Sequence, residues 1–417
     1  METYLVGGAV RDELLGFPFH ERDWVVVGSN TQKMIDAGYS SVGKDFPVFL
    51  HPNTKEEYAL ARLERKTGPG YTGFDFTAEE SVTLEQDLER RDLTINAIAK
   101  SESGVFFDPF NGRTDIKNRI LRHVSLAFCE DPVRILRIAR FAARYHFLGF
   151  SIADETMSLM KNMVNNGETD HLVPERVWQE FTKALSEKDP HIFVSTLNKC
   201  GALQVVFPEI HQLFGIPQPP KYHPEIDCGI HSLMSLQQAV KLFGSLEERY
   251  ATLVHDLGKA LTPKNELPQH IGHEKTGLKP LKTLNTRLGV PNSFRALSSL
   301  VMEYHTHCHR AFELTEKTLL RVLEALDAFR RPERLKSFLI CCKADAQGRT
   351  GFENRQYLQA NYFFGAYLAI KNINAQDFLQ KGIKGAELGK AIRKERLRRI
   401  KDYKENSQAA YKIMTSK

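Results

Sequence analysis

Gly7-Gly8-Ala9-Val10-Arg11-Asp12, followed by Glu21-Arg22-Asp23-Trp24-Val25-Val26-Val27-Gly28, decides how this 417-residue chain begins to fold. A glycine pair at the opening of a helix offers backbone N–H groups to a phosphate. Glu21 and Asp23, two apart on an extended segment leading into an apolar strand, project from one face. Paired carboxylates suit Mg²⁺, which takes oxygen ligands from a few acids and from substrate phosphates. Metals bridging a triphosphate stabilise both the attacking and the leaving oxygen of an in-line displacement. By itself such a pair reads equally well as a solvated strand end, so its neighbours decide.

A chain this long is expected to split into about two to four domains, and 42% hydrophobic residues are ample for packing. The longest apolar run, 362–370, is far too short to span a bilayer, and the N-terminus has no basic leader, so a soluble cytoplasmic protein without a membrane partner is expected. Six scattered cysteines, at 129, 200, 228, 308, 341 and 342, form no C-x-x-C pair and read as reduced, mostly buried thiols. The net charge of +6 is uneven: nine Lys/Arg face only Glu387, Glu395 and Asp402 between Lys384 and Lys404. That basic tail reads either as a solvated helix face or as phosphate contacts to a nucleic acid.

Strands are expected at 3–6, 23–27, 48–50 and 57–63, with helices at 10–15 and 31–37, giving a small mixed α/β domain. The stretch Lys66-Thr67-Gly68-Pro69-Gly70-Tyr71-Thr72-Gly73 reads as a mobile loop. From Asp131 onward the pattern is helical, and the proline-rich run 215–220 is the clearest boundary.

Two further clusters bear on chemistry. Arg90-Arg91-Asp92-Leu93-Thr94-Ile95-Asn96-Ala97 combines guanidinia, a carboxylate and an amide, suited to phosphate and ribose or to a capped helix start. In Glu130-Asp131-Pro132-Val133-Arg134, Asp131 and Pro132 read as N-cap and first helical residue. Arg134, Arg137, Arg140 and Arg144 then fall within about 120° of one helical face. Four arginines without a lysine favour bidentate recognition of oxygens and base edges.

These motifs, with Asp108-Pro109-Phe110-Asn111-Gly112 between them, resemble in kind and order those of the class II tRNA nucleotidyltransferases, the bacterial CCA-adding enzymes of the polymerase β superfamily. Pro174-Glu175-Arg176-Val177 and Phe207-Pro208-Glu209 extend the resemblance over nearly the whole chain, in the longer, multifunctional form with an added HD domain. The resemblance implies an α/β head with a mixed sheet followed by a largely all-α neck, body, HD domain and tail. It implies addition of CCA to tRNA from CTP and ATP, with Mg²⁺ on the catalytic pair Glu21 and Asp23. Gly8 and Arg11 would meet the triphosphate, and Arg91 with Asp92 a phosphate or ribose. Asp131 and Arg134 would read the base, with Arg137 and Arg140 completing the nucleotide pocket. Cytosine and adenine both present an amine donor beside a ring-nitrogen acceptor, whereas uracil and guanine reverse that order. The family usually has Asp where this chain has Glu21, and Glu64 is the nearest candidate for a third carboxylate.

Eight of the fifteen histidines lie between His223 and His309. His231, His255-Asp256 and Asp345 resemble the His…His-Asp…Asp pattern of HD phosphohydrolases. Leu253-Val254-His255-Asp256-Leu257 would bury two ligands in apolar surroundings, where unpaired polar groups are costly. His273 and His305 are candidates for a second metal, with His270, His307 and His309 competing. Imidazole and carboxylate ligands suit Ni, Mn, Fe or Zn. The implied activities are phosphatase, 2′-nucleotidase and 2′,3′-cyclic phosphodiesterase.

The expected division is head 1–140, neck and body 141–222, HD domain 223–350 and basic tail 351–417. Oligomeric state is left open, a homodimer included. The rival readings are a bacterial poly(A) polymerase and an HD phosphohydrolase whose head only binds tRNA.

Overall fold

The valine run of β2 (Asp23–Val27) lies at the centre of a seven-stranded sheet in a computed structural model that describes residues 1–19, 21–42, 48–66, 74–77 and 79–415. Of the loop expected at 66–73, Lys66 ends a strand and 67–73 lie outside the described residues, as does the Glu64 side chain. The other strands are β1 (Glu2–Val6), β3 (Ser40–Val42), β4 (Val48–Leu50), β5 (Glu57–Leu60), β6 (Leu63–Lys66), β7 (Phe74–Thr77), β8 (Ala99–Ser101) and β9 (Phe106–Phe107), with a short parallel pair β10 (Ile120–Leu121) and β11 (Ser151–Ile152) apart from them. The large sheet runs β3-β4-β5-β2-β1-β8-β9, parallel between β2 and β5 and antiparallel elsewhere, so it is mixed as expected. Successive valines go to opposite faces: Val25 packs with Tyr4, Val6, Leu88 and Ala99, and Val26 with Met34, Phe49, Tyr58 and Leu60. Burial on both faces is why this strand is continuously apolar.

The expected strand 57–63 is two strands. β5 ends at Leu60, and β6 pairs with β7 in a separate ribbon. At the break the backbone turns to side chains, with Arg62 N donating to Asp87 Oδ1 at 3.3 Å and Arg90 Nε to the Arg62 carbonyl at 3.0 Å. The ladder can therefore end there without orphaned groups.

Gly112 opens the helix Gly112–Asn118, where Asp108 accepts from the N–H groups of Gly112 and Arg113 at 2.6 and 2.9 Å. A Cβ there would lie 2.2 Å from the Thr94 carbonyl oxygen, so only glycine fits. The arginine helix is Val133–Tyr145, so Pro132 stands at the N-cap position, one residue later than expected, and Asp131 Oδ1 accepts from Val133 N at 3.1 Å from just outside the helix.

The chain divides into two compact units, Met1–Val206 and Phe207–Lys417, upstream of the proline-rich run. Residues 207–214 join the second unit through Gly229 N donating to the Leu213 carbonyl at 3.1 Å and an Arg287–Glu209 pair at 2.7 Å. Its core gathers side chains of Asn292–His309, Pro332–Gln347 and the helix Leu358–Ile370. The basic tail forms the helix Gly385–Thr415, which buries Ile400 and donates from Tyr403 Oη to the Tyr362 carbonyl at 3.1 Å. Many of its cations are already paired, Arg393 with Glu324 and Arg398 and Arg399 with Glu395. All six cysteines are free thiols, five of them buried. Among the described residues, no helix is long and apolar enough to cross a membrane.

Candidate functional site

In the head, register brings the first motifs together. Asp23, at the start of β2, pairs with Val6, the residue before the glycine turn. Gly7 has φ +70°, and a Cβ there would be strained and would lie 3.2 Å from Arg91 Nη1. Desolvation pushes the Asp23 carboxyl above its usual value, the Arg91 guanidinium opposes that, and Glu21 adds to it. The glycine turn, the acid pair and Arg91 thus form one neighbourhood, with Glu21 and Asp23 exposed. Two carboxylates that leave most coordination positions to water and phosphate fit Mg²⁺.

The clusters read separately in the sequence are joined by one hydrogen-bonded chain. Arg11 Nη1 donates to Asn96 Oδ1 at 2.7 Å, Asn96 Nδ2 to Asp92 Oδ1 at 2.8 Å, and Arg137 Nε to Asp92 Oδ2 at 2.7 Å. Arg11 is buried, bonds Asp12 at 2.9 Å and lies over Phe141 and Tyr145. Burial alone would raise the Asp92 carboxyl, but Arg137 and Asn96 override it and hold it well below the usual carboxylate range.

The other arginines of Val133–Tyr145 are also occupied. Arg134 donates to the carbonyls of Ala127 and Arg90 at 2.9 and 2.7 Å, Arg140 to Glu180 at 2.6 Å, and Arg144 reaches Asp12 at 3.5 Å. Asp131 accepts both Nη groups of Arg176, at 3.1 and 2.7 Å. Asn96, Arg176 and Glu180 were not singled out from the sequence as site residues. The signal for the last two was their spacing of four, which places them on one face of Pro174–Ser186.

The second unit holds the histidine site. His231 comes from Cys228–Lys241, His255 and Asp256 follow Leu246–Val254, and Asp345 lies on Pro332–Gln347; all four are at most 3% exposed. His231 Nε2 lies 3.1 Å from Asp345 Oδ1 and 3.7 Å from Asp256 Oδ2, and His255 Nε2 lies 3.1 and 3.6 Å from Asp256 and Asp345. The Nδ1–H of His231 donates to the Gly348 carbonyl at 3.0 Å and that of His255 to the Thr252 carbonyl at 2.7 Å. Those carbonyls fix the tautomer and aim Nε2 inward, as ligands of a metal require. Glu225 Oε1 stands 3.1 Å behind His231 Nδ1 and 2.9 Å from His223 Nδ1.

His255 Nε2 and both Asp256 oxygens are buried without a hydrogen bond of good geometry. Burial would lower the His255 imidazolium, yet Asp256 and Asp345 raise it to about 10, while the two carboxyls are held far below their usual range. Lys259 Nζ lies 2.7 Å from Asp256 Oδ2 and Arg349 3.5 Å from Asp345 Oδ1, and the inward imidazole and carboxylate donors between them fit a divalent cation.

The competing histidines sort themselves. His273 and His305 Nε2 lie 3.2 and 3.5 Å from Asp256 Oδ1 and 3.2 Å from each other, each with Nδ1 on a backbone carbonyl. They form a second donor group with Asp256. His309 joins Asp345 instead, His270 bonds Thr262 and Pro217, and His307 lies beside Arg321. A cavity of about 380 Å³ beside the cluster is lined by Tyr222, Lys259, His273, His309, Arg310 and Arg349 among others, a cationic wall that suits a phosphate ester.

A mixed-sheet head with an acid pair beside a glycine turn, and an all-helical unit with an HD-type cluster, define a nucleotidyltransferase coupled to a metal-dependent phosphohydrolase module. Residues 3–122 match the poly A polymerase head domain, 149–214 the probable RNA and SrmB-binding site of polymerase A, and 229–343 the HD domain. The chain is 62% identical to the multifunctional CCA protein of Teredinibacter turnerae, over 96% of this chain and 98% of that protein. It is 57% identical to that of Thioalkalivibrio sulfidiphilus, over 97% and 99%. The chain therefore belongs to the multifunctional CCA protein family, tRNA nucleotidyltransferases that carry an HD domain. Its fold is also that of solved CCA-adding enzymes: an apo form (TM-score 0.67, 22% identity, 98% of this chain and 92% of that one) and a complex with ATP (0.66, 21%, 99% and 90%). A Thermotoga maritima CCA-adding enzyme complexed with tRNA is likewise similar (0.61, 22%, 98% and 91%).

Proposed function

We propose that CCA addition to the tRNA 3′ end proceeds in the head from CTP and ATP, with Glu21 and Asp23 as the catalytic pair holding Mg²⁺. The reading rests above all on the convergence of Asp23, the Gly7 turn and Arg91. The tRNA 3′ hydroxyl attacks the α-phosphorus, and pyrophosphate leaves. Bound Mg²⁺ supplies charge stabilisation at the triphosphate oxygens. Gly8 contributes backbone N–H, and Arg11 reaches the triphosphate by exchanging Asn96 for it. Arg91 Nε is buried without a hydrogen-bond partner, which suits a phosphate or ribose oxygen alongside Asp92.

Asp131 accepts from the exocyclic amine and Arg134 donates to the ring nitrogen, which admits C and A and rejects U and G. Arg137 and Arg140 complete the pocket. Because Asp131 holds Arg176 and Arg134 holds two carbonyls, reading a base requires partner exchange. In the HD module His231, His255, Asp256 and Asp345 would hold one Ni, Mn, Fe or Zn ion, and His273 and His305 would serve a second. Its reactions are phosphatase, 2′-nucleotidase and 2′,3′-cyclic phosphodiesterase hydrolysis. The reading includes the division 1–140, 141–222, 223–350 and 351–417, and a cytoplasmic location.

A 3′-truncated tRNA offered each nucleotide separately, and CTP with ATP together, tests it. Three residues added from CTP and ATP, and none from UTP or GTP, is the expected result. A long tract from ATP alone would make the head a poly(A) polymerase, and no incorporation with Mg²⁺ would leave a phosphohydrolase with an RNA-binding head.

A further inference from the structure

The first unit contains another group of metal-type donors, distinct from the acid pair and from the residues assigned to the nucleotide. His146 follows the arginine helix directly, and Asp189 and His191 flank Pro190 at the start of His191–Cys200. His146 Nδ1 lies 3.3 Å from Asp189 Oδ2, the two imidazole rings meet edge to face with centroids 5.8 Å apart, and one ligand atom from each residue lies within 4.8 Å of the other two. Donors on a tetrahedral ion with bonds near 2.1 Å stand roughly 3.4 Å apart, so the closest pair already has ligand spacing.

Two of the donors are on a fixed turn. Pro190 has φ −61°, and the Asp189 carbonyl accepts from Ile192 N at 3.0 Å. The neighbouring cation, Lys188, has its ammonium over the Phe147 ring at 4.2 Å. His146 is about half exposed, with 49% of its side chain accessible, which leaves room for water in the remaining coordination position. Two neutral imidazoles and one carboxylate are the donors that late first-row ions prefer, whereas Mg²⁺ and Ca²⁺ want oxygen throughout.

We propose that His146, Asp189 and His191 form a three-ligand site for a divalent ion of the Co²⁺-to-Zn²⁺ class, completed by water, which ties the end of the arginine helix to His191–Cys200. The site is independent of the roles assigned to the head acids and to the HD cluster.

The test is Co²⁺ titration of the chelator-stripped full-length protein, followed by visible absorption, in wild type, His146→Ala and Asp189→Asn. Both side chains reach the surface, so neither substitution removes core packing, and circular dichroism checks the fold. Each variant should bind one Co²⁺ fewer per chain than wild type and lose part of the visible band. Zn²⁺ should raise the wild-type Tm more than that of either variant. Equal Co²⁺ stoichiometry and equal spectra in all three proteins, or filling of the difference site only above millimolar metal, would overturn the proposal.

Discussion

In the head, the four arginines of Val133–Tyr145 already hold protein oxygens, whereas in the second unit His255 Nε2 and the Asp256 carboxylate face one another without a well-formed hydrogen bond. The difference reflects what each site has to accept. A nucleotide brings many polar groups and leaves again, so on the proposed reading the head keeps its charges satisfied and would exchange partners when the nucleotide arrives. A resident ion brings only charge, and the helices of the HD module hold their donors in place through backbone carbonyls before it binds. Buried polar groups left unsatisfied are costly, so His255 Nε2, buried without a hydrogen-bond partner, favours a bound cation.

The sharpest way to break this contrast is Asp256→Ala or His255→Ala. Either should reduce hydrolysis of 2′,3′-cyclic nucleotides to background, as should chelation of the wild type, with activity returning on addition of Ni²⁺ or Mn²⁺. Appreciable hydrolysis by a folded, metal-free variant would refute the metal cluster.

Next in size is Glu180→Ala. Arg140 and Glu180 are both under 10% exposed, and removing one partner of a buried pair costs about 3 kcal/mol because the other charge is stranded. Urea unfolding measures it, and a loss below about 1 kcal/mol would mean that Arg140 finds another partner.

Smaller effects follow at Asp131 and Arg134, the pair proposed to read the base. Asp131→Ala and Arg134→Ala should reduce discrimination of CTP and ATP against UTP and GTP by about 1 to 3 kcal/mol, since a mispaired base then leaves no group unsatisfied. Competition assays with all four nucleotides report it, and unchanged selectivity would reduce Asp131 to a cap for Val133 and a partner for Arg176.

The smallest change is expected for Glu21→Asp, which keeps the carboxylate and shortens it by one methylene. Substantial Mg²⁺ activity should remain, with a smaller advantage for Mn²⁺ than in wild type. Loss as complete as that of Glu21→Ala would show that the longer side chain is itself required.

Much of this was legible along the chain. The valine strand, the helix start at Asp131-Pro132 and the His255-Asp256 pair are local patterns, and periodicity gives the face a side chain takes, whereas His231 and Asp345 came from the family resemblance. It does not give the neighbour. Arg140 meets Glu180 from forty residues away, and Arg11 meets Asn96 from eighty-five, so a face that reads as open to a ligand is closed by other segments. The break after Leu60 was hidden for the same reason, because Asp87 and Arg90 satisfy the backbone there. The histidine spacing carries more of the site than its composition does. His305 and His309 are one turn apart on Asn292–His309 and both turn to the cluster, while His307, two residues from each, points elsewhere.

Two chemistries on separate metal sites in one chain should be separable by a single substitution. That is tested most directly by assaying one preparation of Asp23→Ala for addition of C and A to a truncated tRNA and for 2′,3′-cyclic phosphodiesterase activity. The account predicts that addition is lost and hydrolysis proceeds at the wild-type rate. Addition near the wild-type rate, or an equal fall of both activities in a folded protein, would contradict it.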